Sequence, residues 1–66
     1  MRATVNGVVR ELADGTTVAD VLRLLEIAPG GVAVAVNGSV VPRAEHPRTV
    51  LAEGADIEVL TAVQGG

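Results

Sequence analysis

The chain reads as an α+β domain in which a mixed sheet of four to five strands wraps over a single helix. Two Asn-Gly pairs, Asn6-Gly7 and Asn37-Gly38, stand between runs of β-branched residues, and a tight hairpin turn needs positive φ at both of its central positions. One stretch only, Val18 to Leu25, repeats its apolar residues at helical spacing. The resulting order is strand, strand, helix, strand, short strand, strand. Hairpin turns are too short to join parallel neighbours, so a parallel pair can arise only across the helix.

In order along the chain, Arg2 to Val5 reads as the first strand and Val8 to Leu12 as its return. The register of that return is open, because Val8 and Val9 cannot both face the core. Asp14-Gly15 closes the hairpin. Thr17, with Asp20 three residues later, has the spacing of a capping box with Asp at N3. Val18, Val21, Leu22 and Leu25 then form the buried helix face, Asp20, Arg23 and Glu26 the exposed one, and Pro29-Gly30-Gly31 ends the helix. Val32, Val34 and Val36 alternate with Ala33 and Ala35, giving a strand with a bulky face and a flat apolar one. Val40-Val41 is a short strand stopped by Pro42, and Arg43 to Arg48 is a loop with room for one helical turn. After the Glu53-Gly54 turn, Ile57 to Val63 is the last strand, with Glu58 and Leu60 opposite Ile57 and Val59. Residues 1–64 are read as one domain and 65–66 as a flexible tail.

Composition narrows the classes of function. At 66 residues the chain has no room for a walled active-site cleft, and its core must be small. There is no Phe, Tyr or Trp, so bases have nothing to stack on, and no Cys, so thiolate catalysis, thiolate metal sites and disulfides are all excluded. Five Arg against eight acidic residues give a net charge of −3, with no basic footprint for nucleic acid or an anionic membrane. A basic partner surface fits better. The longest apolar run, Val32 to Val36, is far short of the roughly 20 residues a membrane span needs. Without a signal-peptide pattern after Met1, the expectation is a soluble cytoplasmic protein. There is no Lys, and no glycine-rich phosphate loop: Gly30-Gly31 is a helix stop.

What chemistry the chain can offer lies in Gly65-Gly66. A terminal carboxylate, with an ordinary pKa of about 3.3 to 3.7, is ionised at neutral pH and acylates nothing until activated. Attack on the α-phosphorus of ATP would give an acyl-adenylate open to a sulfur or nitrogen nucleophile. Glycines suit such a tail because a chain without Cβ threads a narrow channel at any φ. The plain alternative is a frayed end or a scar.

The order Val5-Asn6-Gly7, Asp14-Gly15-Thr16-Thr17-Val18, Val34-Ala35-Val36-Asn37-Gly38, Val41-Pro42-Arg43, Ile57-Glu58-Val59 and Val63-Gln64-Gly65-Gly66 resembles the ubiquitin-like sulfur carriers of the β-grasp fold, the ThiS and MoaD-like family. The likeness covers nearly the whole chain and is strongest to the thiamine-biosynthesis members. Members often carry Trp where this chain has His46, and Gly-Asp where it has Gly54-Ala55-Asp56. The resemblance implies a protein co-substrate rather than an enzyme, with no bound cofactor. An E1-like adenylyltransferase of the ThiF type would activate Gly66 with ATP, and a sulfur donor such as a cysteine desulfurase would supply a persulfide. Thiazole synthase of the ThiG type would take sulfur from the resulting thiocarboxylate. The small subunit of molybdopterin synthase uses the same tail chemistry. A ubiquitin-like protein modifier, or an inert interaction module, are further alternatives.

Leu60 faces away from Ile57 and Val59. The matching face of related carriers docks the activating enzyme, with Ala33 and Ala35 as a flat apolar patch and Glu58 beside it; an isolated surface Leu is the plain alternative. Arg43 either meets an acidic partner surface or is simply solvated. His46, without a second His or a Cys, reads as loop surface rather than a metal ligand. Asp14, Asp20, Glu26, Glu53, Asp56 and Glu58 read as solvated charge, with no pair placed for acid–base work.

Overall fold

The computed structural model describes residues 1–28 and 30–61. Strand β1 (Arg2–Val5) turns through Asn6-Gly7 into β2 (Val8–Glu11), and helix α1 (Val18–Leu24) crosses to β3 (Val32–Val36). A second Asn-Gly turn leads to β4 (Ser39–Val41), a 3₁₀ turn spans Arg43–Glu45, and β5 (Ala55–Thr61) follows. The strands form one sheet in the order β2-β1-β5-β3-β4. Only β1 and β5 are parallel; the other three pairings are antiparallel. This is the β-grasp arrangement, a mixed five-stranded sheet holding one helix.

Both Asn-Gly turns have positive φ at both residues, 50° and 81° in the first, 51° and 84° in the second. The asparagines do more than turn the chain. Asn6 donates its backbone N–H to the Ile57 carbonyl at 2.9 Å. Its side-chain amide accepts from Val59 N at 2.7 Å and donates to Val59 O at 3.2 Å. The amide thus imitates one more peptide unit of β1 and extends the β1–β5 ladder past the strand's end. On the other flank of β5, Asn37 donates its N–H to Asp56 O at 2.8 Å and accepts from Asp56 N at 2.9 Å. The last strand is therefore clamped from both sides by the turns of the two hairpins.

The helix begins as its sequence dictates. Thr17 Oγ1 accepts from Asp20 N at 3.2 Å, and the Asp20 carboxylate accepts from Thr17 N at 3.0 Å, completing the capping box. Arg23 reaches the other Asp20 oxygen at 3.1 Å. Hydrogen bonds from the Thr17 backbone and side chain, with the Arg23 charge, hold the Asp20 carboxyl below its ordinary 3.8. Asp20 is thus a structural cap as well as surface charge.

The helix stops earlier than the Pro-Gly-Gly signal implies. It ends at Leu24, and Glu26 takes φ 58°. Glu26 N donates to Arg23 O at 3.0 Å and Ile27 N to Leu22 O at 2.9 Å, which is the double closure of a Schellman motif. Glu26 stands where glycine is usual, and its left-handed backbone costs roughly 1–2 kcal/mol. The closure offsets that cost by returning Ile27 to pack against the core.

Val18, Val21 and Leu22 of α1 are buried against Ala3 and Val5 of β1, Val34 of β3, and Ala55, Ile57 and Val59 of β5. Leu12 and Leu51 close the edges of this core. Leu51 is held there by the stretch around Val50, which pairs with the start of the helix: Val18 N donates to Thr49 O and Leu51 N to Thr16 O. The register of β2 is now defined. Val5 pairs with Val8 and Thr4 with Val9, so Val8 lies on the helix side and Val9 on the outer side. Both are exposed, because β2 is an edge strand with nothing beyond it.

His46 is a correction. It is buried, 2% exposed, not loop surface. A carbonyl only accepts, so ring Nε2 carries a proton and donates to Val41 O at 3.2 Å. The backbone carbonyl of His46 accepts from Ala19 N at 3.1 Å. His46 thus ties the loop after β4 to the strand it leaves through its imidazole and to the helix it covers through its backbone carbonyl.

Two outcomes follow. Asn6→Gly keeps the turn but removes both side-chain bonds to Val59, and should cost about 1–2 kcal/mol in chemical denaturation. Asn6→Ala loses the same bonds and also the short polar side chain that eases left-handed backbone, and should cost somewhat more, about 2–3 kcal/mol. An Asn6→Gly chain as stable as the parent would show that the amide bridge contributes nothing. The lowered Asp20 pKa means that its stabilisation is complete above its unfolded value, near 3.8, and fades as pH falls through the folded one. Melting temperatures of the parent and Asp20→Asn should therefore differ at neutral pH and converge in acid; a constant gap would contradict this.

Candidate functional site

The sheet has one face packed on α1 and one without a helix. Residues directly opposite in neighbouring strands share a face, so register alone assembles the outer surface. Leu60 of β5 lies opposite Ala33 of β3, and Glu58 opposite Ala35. Ala35 in turn lies opposite Val40 of β4. Leu60 and Val40 are 65% and 74% exposed, and Ala33 is exposed beside them. The structure thus brings together Leu60, Glu58, Ala33 and Ala35 as the sequence implied.

The reason lies in the alternation of β5. Ala55, Ile57 and Val59 are buried while Asp56, Glu58 and Leu60 are exposed. With Val34 of β3 buried, Ala33 and Ala35 must point outward beside them. Their methyl groups leave Leu60 standing above a low floor rather than among side chains of its own height. Asp56 continues the row toward Thr4 of β1, so the apolar patch is bordered by carboxylates from the same strand.

Sequence reasoning missed Val40. A two-residue Asn37-Gly38 turn pairs Val36 with Ser39, which puts Val40 opposite Ala35. That count was available from the turn alone. Arg43 belongs elsewhere: it starts the 3₁₀ turn after β4 and lines a cleft against α1, on the helix side of the sheet. Gly65 and Gly66 lie outside the described residues. The described part of β5 ends at Thr61, opposite Val32 and next to Leu60.

Among the described residues no group of three His, Cys, Asp or Glu could hold a metal ion. Among the same residues no helix is long and apolar enough to cross a membrane. What the site offers is a flat apolar surface edged with carboxylates, carried on the strand that leads to the terminal glycines.

Comparison with known proteins agrees with this geometry. The ThiS family matches residues 3–66. No curated protein matches the chain. Among solved structures, the crystal structure of thiamine biosynthesis protein ThiS from Geobacter metallireducens is 32% identical, with all of each chain covered and a TM-score of 0.83. The solution structure of a thiamine biosynthesis protein from the same organism is also 32% identical, covering 100% of this chain and 88% of that one, with a TM-score of 0.82. A family match over nearly the whole length, together with full-length structural likeness at this identity, establishes that the chain belongs to the ThiS family.

Proposed function

We propose that this chain is a sulfur carrier for thiazole formation in thiamine biosynthesis, with Gly66 as the residue that carries the sulfur. The observation that carries the proposal is the family match, which runs through Gly65-Gly66 rather than stopping at the folded part. The small subunit of molybdopterin synthase would use the same tail chemistry, and the match to the thiamine family favours the first.

The chemistry follows from the terminal carboxylate. Ionised at neutral pH, it attacks the α-phosphorus of ATP on an E1-like adenylyltransferase of the ThiF type, and pyrophosphate leaves. The terminal sulfur of a cysteine-derived persulfide, from a donor such as a cysteine desulfurase, then attacks the acyl-adenylate and AMP leaves. Cleavage of the resulting S–S bond by a second thiol frees the thiocarboxylate. Thiazole synthase of the ThiG type takes the sulfur, and Gly66 returns as a carboxylate. The chain is a co-substrate in this scheme and supplies no acid, base or metal. ATP is bound by the activating enzyme.

The folded part presents the tail. Leu60, Ala33, Ala35 and Val40 would seat on an apolar surface of the activating enzyme, with Glu58 facing a basic group at its edge. The face and the tail share β5. Gly66 is the fifth residue after Thr61, a reach of at most about 18 Å. Docking at Leu60 would therefore confine the carboxylate near one place on the partner, replacing a bimolecular search by a local one.

Incubation with ATP, the E1-like enzyme and a sulfur source should exchange one oxygen of the intact chain for sulfur. Deletion of Gly66 should abolish the exchange. A ladder of conjugates would instead indicate a protein modifier, and no change an inert module. Offering the thiocarboxylate to thiazole synthase and to molybdopterin synthase decides the pathway. Leu60→Glu, on an exposed site that the core does not use, should slow activation about tenfold, equivalent to about 1.4 kcal/mol, with the melting temperature unchanged. Unaltered activation of that variant would remove the docking role from this face.

A further inference from the structure

On the helix side of the sheet, a cleft of about 270 Å³ opens between α1 and the segment that follows β4. Ala19 and Leu22 of α1, Ile27 from the Schellman closure and Pro47 make it largely apolar. The buried ring of His46 forms another part of the wall. Among the described residues that line it, the charged side chains are Arg23 and Arg43.

Three features separate this cleft from an accidental gap. First, the chain is acidic, at −3, yet two of its five arginines stand at this one apolar hollow. Second, Arg23 is held by Asp20, whereas Arg43 has no ion-pair partner among the described residues. Third, His46 spends Nε2 on Val41 O and leaves Nδ1 buried without a hydrogen-bond partner. The ring is therefore fixed in place and contributes no charge-compensating group for the arginines.

The volume helps to identify the occupant. Pockets that enclose a free small molecule generally run from about 300 to 1,000 Å³ and bury most of it. This cleft lies at the lower edge of that range and has an open side, which suits an aliphatic side chain presented on a backbone. The cationic rim requires that an acidic residue accompany it.

We propose that the cleft is a docking site for a partner-protein segment in which Leu or Ile stands next to Asp or Glu. The aliphatic side chain fills the space between Leu22, Ile27 and Pro47, and the carboxylate pairs with the guanidinium of Arg43. The planar fork of Arg43 matches a carboxylate in two parallel hydrogen bonds. Because Leu22 and Leu60 lie on opposite sides of the sheet, a partner seated here leaves the Leu60 face free. The two surfaces also differ in sign, one edged by Glu58 and Asp56, the other by Arg23 and Arg43.

The test is a titration of the full ¹⁵N-labelled chain with acetyl-Asp-Leu-Glu-amide. Saturable amide shifts are expected at Ala19, Leu22, Ile27 and Arg43. Acetyl-Lys-Leu-Lys-amide and acetyl-Asp-Ala-Glu-amide should bind at least about fivefold more weakly, since the first loses the charge match and the second the aliphatic side chain. Arg43→Glu should weaken the acidic peptide by about five- to tenfold, and Arg43→Lys, which keeps the charge, by less. Arg43 is exposed, so both variants should keep the parent's dispersed spectrum. No saturable shift at millimolar peptide, shifts centred on Glu58 and Leu60, or equal response to the lysine peptide would overturn the proposal.

Discussion

The structure depends on how β5 is held. It is the middle strand of the sheet, the parallel partner of β1 and the antiparallel partner of β3. Its buried side chains, Ala55, Ile57 and Val59, form the floor on which α1 rests. On its β1 side strand pairing does not reach its end, because β1 stops at Val5 opposite Ile57 while β5 runs on to Thr61. The Asn6 amide bridges that gap by pairing with Val59 as a peptide unit would. Asn37 secures Asp56 from the other side. Two residues chosen for left-handed backbone thus also extend the ladder, a combination open to Asn but not to Gly.

Such polar clamps matter more in this chain than in a larger one. The buried core consists of Ala, Val, Leu and Ile, each contributing no more than about 1.5–3 kcal/mol on full burial, against an ordering cost of similar size. The net stability expected for a domain of this length is only about 3–10 kcal/mol. A hydrogen-bonded turn worth one or two of these is a substantial share. The same holds for the capping box at Thr17 and Asp20 and for the buried His46, which fastens the loop after β4 with one imidazole and one carbonyl. Where the core is thin, these contacts decide which chain segments stay in place.

Most of the fold was legible because its signals are local. Asn-Gly turns, the Thr17-to-Asp20 spacing and strict alternation in β3 and β5 each act over a few residues, and each behaves in the structure as its chemistry requires. The composition of the open face was legible for the same reason: alternation in two neighbouring strands places Leu60, Glu58, Ala33 and Ala35 outward whatever the rest of the chain does. The failures are non-local. Nothing near His46 announces that Val41 O and the helix will enclose it, so a lone polar side chain in a Pro- and Arg-rich stretch reads as surface. Glu26 takes left-handed backbone because closure of the helix onto Leu22 and Arg23 compensates it, a balance that no single-residue preference contains. The pairing of Thr17 with Val50 joins segments far apart in sequence and carries no pattern at all.

The division of the surface follows from the same architecture. A single helix can cover only one face of a five-stranded sheet, so the other face remains open however the core is packed. In a larger domain a second layer would close it. Here the open face is kept from becoming a general adhesive by its composition: alanines keep the β3 floor low, and Asp56 and Glu58 interrupt the apolar row along β5. Among the described residues of β3, β4 and β5, Leu60 and Val40 rise from it as large apolar groups, with Val9 standing apart on β2. An exposed Leu beside carboxylates, on the strand that leads into the terminal glycines, makes a small and distinctive surface rather than a broad apolar one. The sulfur-carrier role proposed above, in which the chain leaves one enzyme to reach the next, would need both properties. A deep hydrophobic interface would supply affinity at the expense of turnover, whereas a shallow one places the burden of specificity on where the tail can reach.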